Sequence, residues 1–208
     1  MSEPTYPLTM PTSPNFIESE WTIKRAVTTS ISPFTFGSQS AKYSGSQWIA
    51  TVKLPPMKQV LAVEWQAFFM QLNGGFGTFL MGDPDALAVR GTISNTIAVN
   101  GSHAVGAYDI VIDGADISDA TLFKKGDYVQ FNSDASSKLH MIIANVASDA
   151  SGNATLTIEP SLSAILTDNA TISYTSPKCL MRMQTNDLSW SADQISLYGI
   201  AFACEEVR

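Results

Sequence analysis

The sequence contains very few of the side chains that bind metals or form disulfides. Its only histidines are His103 and His140, and its only cysteines are Cys179 and Cys204. These are too few for a zinc site, and two cysteines do not define a disulfide framework. We therefore expect neither a metal nor a cofactor, and a chain that folds in a reducing cytoplasm.

Positively charged residues are also scarce. Lys and Arg number 12 against 19 Asp and Glu, which leaves a net charge of -7 and a pI of about 4.7. Proteins that grip phosphate backbones need clustered Lys and Arg, so we expect no specific nucleic-acid partner. No apolar run approaches the ~18 residues of a membrane span, and the first residues lack the basic and apolar regions of a signal peptide. The sequence therefore predicts a soluble protein without a membrane partner.

Signatures of catalysis are missing as well. The sequence has no Gly-x-Ser-x-Gly motif, so a hydrolase triad has no anchor. His140 lies inside a strand pattern, where we expect a structural side chain, and His103 lies in a Gly/Ser loop, where we expect a solvated one. We predict no catalytic residues and no enzyme activity.

Two further motifs resemble ligand sites but have the wrong spacing or position. The run GGFG at 74–77 looks like half a phosphate loop, but it follows a helix, whereas the amides that bind phosphate lie at a helix N-terminus. Four aspartates are spaced by four, three and three residues, which does not match the alternate-residue ligands of an EF-hand loop. They are Asp109, Asp113, Asp116 and Asp119. We expect a solvated acidic loop and no calcium site.

The stretch 54–81 contains the one convincing helix pattern. Large apolar side chains recur at helical spacing, and Phe69 widens the stripe. They are Leu61, Trp65, Phe68 and Leu72. The prolines at 55–56 suit the helix entrance, and the glycines at 74–75 suit a left-handed C-terminal cap. The pattern predicts a helix over 57–72 whose aromatic face packs against a sheet.

Most of the sequence around this helix alternates like β-strands. We predict strands at 20–29, 34–43, 47–54, 77–81, 179–184 and 194–205. A turn is predicted at Ser44-Gly45-Ser46, and Ser32-Pro33 is predicted to end the first strand. Residues 1–18 contain four prolines, too many for regular structure, so we expect an extended arm laid on a neighbouring molecule.

The composition changes between residues 88 and 176. All four tryptophans lie outside this stretch, and nine acidic against four basic residues give it a charge of -5. Short strands are predicted at 92–99, 108–112, 127–131, 139–146, 154–159 and 171–174. With a helical turn near 119–123 they fit a small barrel of the oligosaccharide/oligonucleotide-binding (OB) type, and an SH3-like barrel fits nearly as well. We predict a base domain of 1–87 plus 177–208, interrupted by an inserted barrel at 88–176.

The inserted stretch holds five aromatic residues that could stack on nucleobases or sugars. They are Tyr108, Phe123, Tyr128, Phe131 and Tyr174. A single-strand binder also needs a basic groove, and this stretch is acidic. Three of the aromatics, Phe123, Tyr128 and Phe131, fall where a barrel needs core residues. We therefore favour a scaffold or a weak sugar-contacting module over a nucleic-acid binder.

The order of these features resembles the distal tail proteins of long-tailed bacteriophages. In the base domain the similarity rests on WIATVKLPPM at 48–57, WQAFF at 65–69 and GGFGTFLMGDP at 74–84. In the insert it rests on VRGT at 89–92 and KGDYVQF at 125–131. The resemblance implies a mainly β protein, with a β-sandwich belt domain and one packed helix, interrupted by an OB-type barrel.

The same resemblance implies a structural function. The family forms a hexameric ring at the tail tip of the virion, joining the tail tube protein to the baseplate hub and other tail-tip proteins, and it is assembled in the host cytoplasm. The alternative is a small carbohydrate- or nucleic-acid-binding module that acts through the barrel, with weak contact to host-surface saccharides. A ring subunit should form a large closed oligomer and bind no ligand tightly.

Overall fold

The computed structural model describes residues 4–133, 136–193 and 197–208. Strands make up 41% of the chain and helix 8%, which confirms the predicted mainly β class with one packed helix. Of the stretches discussed above, residues 1–3 of the arm, Asp134 of the insert and residues 194–196 of the last predicted strand lie outside the described residues.

The first eleven elements of the described residues run from the start of the chain to the end of the barrel. They are β1 (Glu18–Ile31), β2 (Ser38–Lys53), β3 (Met57–Lys58), α1 (Gln59–Leu72), β4 (Thr78–Met81), β5 (Ala98–Val99), β6 (Asp109–Asp113), β7 (Tyr128–Phe131), β8 (Lys138–Ile142), β9 (Ala154–Glu159) and β10 (Ile172–Ser173). The chain ends with β11 (Cys179–Met183), β12 (Ser191–Ala192), β13 (Leu197–Gly199) and β14 (Ala201–Glu206).

The two ends of the chain together build the base sheet. Its strand order is β1-β2-β14-β11-β4, with each neighbouring pair antiparallel. A second sheet, β12-β13-β3, adds three short strands. The alternation predicted for 47–54 is confirmed, because one face of β2 and the residue after it is buried. The buried side chains are Trp48, Ala50, Val52 and Leu54.

Helix α1 packs its aromatic face against this base sheet. Trp65, Phe68 and Leu72 are fully or almost fully buried, as predicted, whereas Leu61 is only partly buried. The helix begins two residues later than predicted because Met57 and Lys58 pair with β13 instead. Its C-terminal cap is Asn73, with a φ of 51°, so the left-handed position falls one residue before the glycines.

The predicted turn at 44–46 is wrong. Strand β2 continues through these residues and pairs with β1 along almost its whole length, with an irregular register between Arg25 and Val27. The chain reverses earlier, where the amide of Ser32 donates to the carbonyl oxygen of Gly37 at 2.9 Å. The Ser and Gly residues at 44–46 lie at the irregular point of the β1–β2 pair and do not form a turn.

The proline-rich arm lies on its own base domain, so the expectation that it lies on a neighbouring molecule is wrong. The amide of Leu8 donates to the carbonyl oxygen of Thr78 at 2.8 Å, which covers the free edge of β4. The indole N–H of Trp65 donates to the carbonyl oxygen of Ser13 at 2.9 Å. A sheet edge and a buried indole N–H both need partners, and the arm supplies them.

Residues 98–173 supply a nearly closed six-stranded barrel. Its strand order is β10-β7-β8-β9-β6-β5, and a bridge between Ala98 and Thr171 links the first and last strands. All six predicted strands are present, although those at 92–99 and 139–146 are shorter than predicted. The helical turn predicted near 119–123 is an irregular loop, because Phe123 forms a bridge with Val146.

Among the residues that the structure describes, the buried apolar side chains form two clusters, one in the base sheet and α1 and one inside the barrel. The two meet at Trp48, whose indole N–H donates to the carbonyl oxygen of Leu139 at 2.9 Å. Tyr128 packs against Trp48, with ring centroids 6.0 Å apart, so its predicted place in the barrel core is wrong. Phe123 and Phe131 lie in that core as predicted.

Candidate assembly surface

Strands β1 and β2 extend beyond the base sheet as a two-stranded ribbon, which we define as residues 25–46. Strand β14 pairs with β2 only from Ile49 to Lys53, so the rest of β2 pairs with β1 alone. Nearly every ribbon side chain is exposed. At about 3.3 Å per residue, the seven residues that end at Ile31 give the ribbon a reach of roughly 20 Å.

The tip of the ribbon presents large apolar side chains to solvent. Phe34 is 92% exposed, Phe36 81% and Ile31 61%. The turn itself is well formed, because the amide of Phe36 donates to the carbonyl oxygen of Ser32 at 2.9 Å. Clustered exposed apolar side chains on an ordered element mark an interaction site.

The edges of the ribbon carry little to prevent pairing with another chain. Strand β1 is at the edge of its sheet, and in the described residues no strand pairs with its outer side. Between Arg25 and Lys53 the sequence has one charged residue, Lys42. Exposed edge strands are usually protected by charges, prolines or bulges. Beyond Lys42 and the irregular point after Arg25, the ribbon strands carry none of these features, so their edges favour addition of a further strand.

A second exposed apolar surface lies on the outer side of α1 and the loop after it. Val60, Val63, Met70 and Phe76 are all exposed. A helix with apolar side chains on both sides is usually covered on both sides. The sequence pattern indicated only the buried side of α1 and neither of the two exposed surfaces. The scarcity of charge from Arg25 to Lys53 is the signal that could have indicated the ribbon.

The contacts at the root of the ribbon join it to the barrel. The Arg25 guanidinium lies 2.7 Å from a carboxylate oxygen of Glu159, at the end of β9. Lys42 Nζ donates to the hydroxyl of Tyr108 at 2.8 Å and lies 4.9 Å from the centre of that ring. Tyr108 is therefore a partner of the ribbon and is not a free stacking surface.

Surface clefts also follow the ribbon. One open cleft of about 500 Å³ lies against its two strands, and another of about 320 Å³ lies at its root. The first is lined by Thr28, Ser30, Gln39, Ser40, Ala41 and Tyr43. These side chains offer hydroxyls and amides but no activated nucleophile, acid or base.

His140 is enclosed in the wall of the barrel. Its Nδ1 lies 2.6 Å from the carbonyl oxygen of Pro160, and its ring centroid lies 5.2 Å from that of Phe131. Nε2 has no hydrogen-bond partner among the described residues. Burial lowers the pKa of His140 to about 4, although the bond to Pro160 opposes the shift, so the ring is neutral at pH 7.

His103 is not the solvated side chain that the sequence suggested. It is partly buried and forms a bridge with Leu166, and its Nε2 accepts from the amide of Val111 at 3.3 Å. The two histidines therefore hold separate parts of the barrel, each through a backbone partner. Neither is paired with a nucleophile in the described residues.

Two of the four aspartates, Asp116 and Asp119, accept hydrogen bonds from neighbouring loop residues, whereas Asp109 accepts from Thr157 on β9. Asp116 accepts from Ser94 and from the side chain of Asn95. Asp119 accepts from the hydroxyl of Thr92 and the amide of Thr121, and these bonds lower the pKa of its carboxyl. No group of three or more His, Cys, Asp or Glu with metal-binding geometry occurs in the described part of the chain.

The glycine run after α1 already has an internal partner. The amide of Gly75 donates to the side-chain oxygen of Asn186 at 3.1 Å, which occupies a donor that a phosphate would need.

Cys179 and Cys204 are free and buried, and burial raises the pKa of the Cys204 thiol to about 12. Both thiols therefore lie in the base core as inert apolar side chains.

The remaining aromatics of the insert do not form a stacking surface. Phe123 and Phe131 are buried, and Tyr128 is enclosed against the base domain, where burial raises its pKa to about 12. The hydroxyl of Tyr174 donates to the carbonyl oxygen of Asn95 at 2.8 Å, and its ring packs on Phe123. Each of these rings is occupied by a contact within the chain.

Among the described residues, no helix has the length and apolar character needed to cross a bilayer. No protein-family model matches the sequence, and no curated protein matches it either.

Proposed function

We propose that this chain is a structural subunit of a phage tail tip. Six copies form a closed ring that joins the tail tube to the baseplate hub, and the ring is a part of the virion assembled in the host cytoplasm. The subunit has no catalytic role and needs no cofactor. The six-fold order, the tail partners and the virion location rest on the sequence resemblance at 48–84, 89–92 and 125–131.

The ribbon is the observation that carries the proposal. An ordered element of roughly 20 Å with two sparsely charged edges and an exposed tip of Phe34 and Phe36 has little use in an isolated molecule. It has a clear use if it lies on another copy of the chain. The second exposed surface, on the outer side of α1, is a further apolar area that assembly would cover.

A ring requires that the ribbon of one copy lie on a different surface of the next copy. Contacts of this head-to-tail kind generate closed rings when the rotation between copies divides a full turn. The preference for a ring over a two-fold dimer rests on the sequence resemblance at 48–84, 89–92 and 125–131.

The inserted barrels, each with a charge of -5, repel one another and are best placed at the periphery of the ring.

The mass of the purified chain tests the proposal, measured by light scattering alone and with the tail tube and hub proteins. The key variant replaces residues 28–41 with Asn-Gly, which leaves Val27 paired with Lys42 and joins them by a two-residue hairpin turn. We expect the full chain to assemble and the shortened chain to stay monomeric and folded, with a circular dichroism spectrum that lacks only the signal of the removed strand residues.

Point variants separate the tip from the rest of the ribbon. Phe34→Ser with Phe36→Ser should weaken assembly, whereas Ile117→Ser should not, because Ile117 is a comparably exposed side chain on the barrel. A full chain that stays monomeric at high concentration with all its tail partners present would contradict the ring. Binding of a glycan or an oligonucleotide by that monomer would favour the binding-module alternative.

A further inference from the structure

The ribbon leaves the base sheet at an irregular point. The register changes between Arg25 and Val27, and the residues that face this change on β2 include Gly45. A Cβ at Gly45 would lie 3.3 Å from the Cβ of Ala26, so the two strands are close together there. Irregularities of this kind bend a strand pair, and a two-stranded ribbon has little rigidity of its own.

Two contacts hold the ribbon on either side of this irregular point. Arg25 precedes it on β1 and reaches Glu159, while Lys42 follows it, opposite Val27, and reaches Tyr108. Both partners belong to the barrel, and both are distant in sequence from the ribbon. The contacts are therefore a link between two parts of the chain.

The two barrel residues form a single rigid seat. Tyr108 directly precedes β6 and Glu159 ends β9, and the carbonyl oxygen of Tyr108 accepts from the amide of Ile158, the residue beside Glu159. The Lys42 hydrogen bond lowers the pKa of the Tyr108 hydroxyl, in agreement with a cation held against it. The barrel strands below are buried and paired, so the seat does not move with the ribbon.

The charges around Arg25 also favour a position of its guanidinium against the barrel. Arg25 shares the cleft at the root of the ribbon with Lys24 and Arg208. These like charges disfavour a position of the guanidinium over the base domain, and the Glu159 carboxylate, with a side chain only 16% exposed, attracts it towards the barrel.

We propose that the inserted barrel is a brace that sets the direction of the ribbon, with Arg25 and Lys42 as positioning residues and Glu159 and Tyr108 as their seat. For its consequence in assembly, this inference rests on the proposed ring. Contacts made by Lys and Arg side chains that remain open to solvent add little to folding stability, but two of them at different points restrict rotation of the ribbon relative to the barrel. The brace holds the tip where the next copy can meet it.

Pulsed electron paramagnetic resonance tests the brace on the full chain. Spin labels at Ser38→Cys near the ribbon tip and at Ala164→Cys on the barrel report the distance between the two parts. The native thiols of Cys179 and Cys204 are fully buried and do not compete for the label. We expect a narrow distance distribution, which becomes about twofold broader or more in the variant Arg25→Ala with Lys42→Ala, because both links are lost.

Matched variants separate positioning from general damage. Lys24→Ala removes a neighbouring cation of the same cleft and should leave the distribution narrow. Arg25→Glu combined with Glu159→Arg restores an ion pair of opposite orientation and should recover the narrow distribution that Arg25→Glu alone loses. A distribution of unchanged width in the Arg25→Ala, Lys42→Ala variant, with the circular dichroism spectrum of the native chain, would overturn the brace.

The same samples distinguish failure of the brace from failure of the ring. If the distribution broadens in the variant while the native chain remains monomeric with its partners, the brace holds and the proposed ring is wrong. If the native chain forms rings and the variant does so equally well with a broad distribution, the barrel contacts position the ribbon without serving assembly, which contradicts the proposed role. Loss of rings together with broadening supports both.

Discussion

Truncation of Trp65 to alanine tests whether the aromatic face of α1 is the centre of the base domain. Trp65 is fully buried, and four aromatic rings lie within about 6 Å of it. They are Phe16, Phe68, Phe69 and Phe202. A large-to-small change of this kind costs ~3–5 kcal/mol. The change also removes the hydrogen bond that the indole N–H donates to the carbonyl oxygen of Ser13.

The expected loss of about 3–5 kcal/mol approaches the whole stability of many domains, so the variant should be largely unfolded in moderate urea. Urea denaturation followed by circular dichroism measures the change in the free energy of unfolding. Trp190→Ala is the matched control, because Trp190 is 45% exposed, and its loss should cost less than about 1 kcal/mol. A cost below about 1 kcal/mol for Trp65→Ala would refute the packing described here.

Three further outcomes are expected. Deletion of residues 1–15 should lower the free energy of unfolding by about 3 kcal/mol, because arm side chains such as Leu8 pack on their own core; an unchanged urea midpoint would contradict this. Unfolding free energy should fall by up to about 3 kcal/mol between pH 6.5 and about 4, because the unfolded chain binds a proton that buried His140 does not, and His140→Phe should lack this slope in urea titrations across that range. Excision of 88–176, with a short linker, should leave a base domain that is folded by circular dichroism.

Patterns that depend on burial were readable from the sequence. The stripe through Trp65 and Leu72 predicted a helix and its buried face, and the alternation from Trp48 to Leu54 predicted which side of β2 is inside. These patterns are reliable because a side chain on the wrong face would expose apolar surface or bury polar groups. The barrel strands were found for the same reason, although their ends were not.

Features that depend on partners distant in sequence were not readable. Ser44-Gly45-Ser46 has the composition of a turn, but pairing with β1 on both sides of its irregular point keeps the strand extended. The arm has the composition of a free segment, yet the uncovered edge of β4 and the indole of Trp65 are positioned to bind it. Local composition does not reveal a partner from elsewhere in the chain, and tertiary context overrides local preference in such cases.

The candidate site was missed for a different reason. Residues of the ribbon are mostly Ser, Thr, Gln and Ala, which resemble any exposed strand, and the tip residues Phe34 and Phe36 look like ordinary core residues of a short strand. Their exposure is visible only once the strand pair is known to extend past the sheet. The contacts of Arg25 and Lys42 with the barrel join residues 134 and 66 positions apart, which no local pattern indicates.

The way in which the barrel is inserted explains why its removal should be tolerated and what that removal should cost. Met81 lies opposite Cys179 in the β4–β11 pair, so the chain leaves the base sheet and returns to it at adjacent points. A short turn can therefore replace the insert without moving either strand, as is usual for insertions at a hairpin. The indole N–H of Trp48 would lose its acceptor on Leu139, and an unpaired buried donor costs about 1–3 kcal/mol unless water reaches it. We therefore expect the excised base domain to be folded but measurably less stable in urea than the full chain. A disordered product would show that the two clusters act as one core.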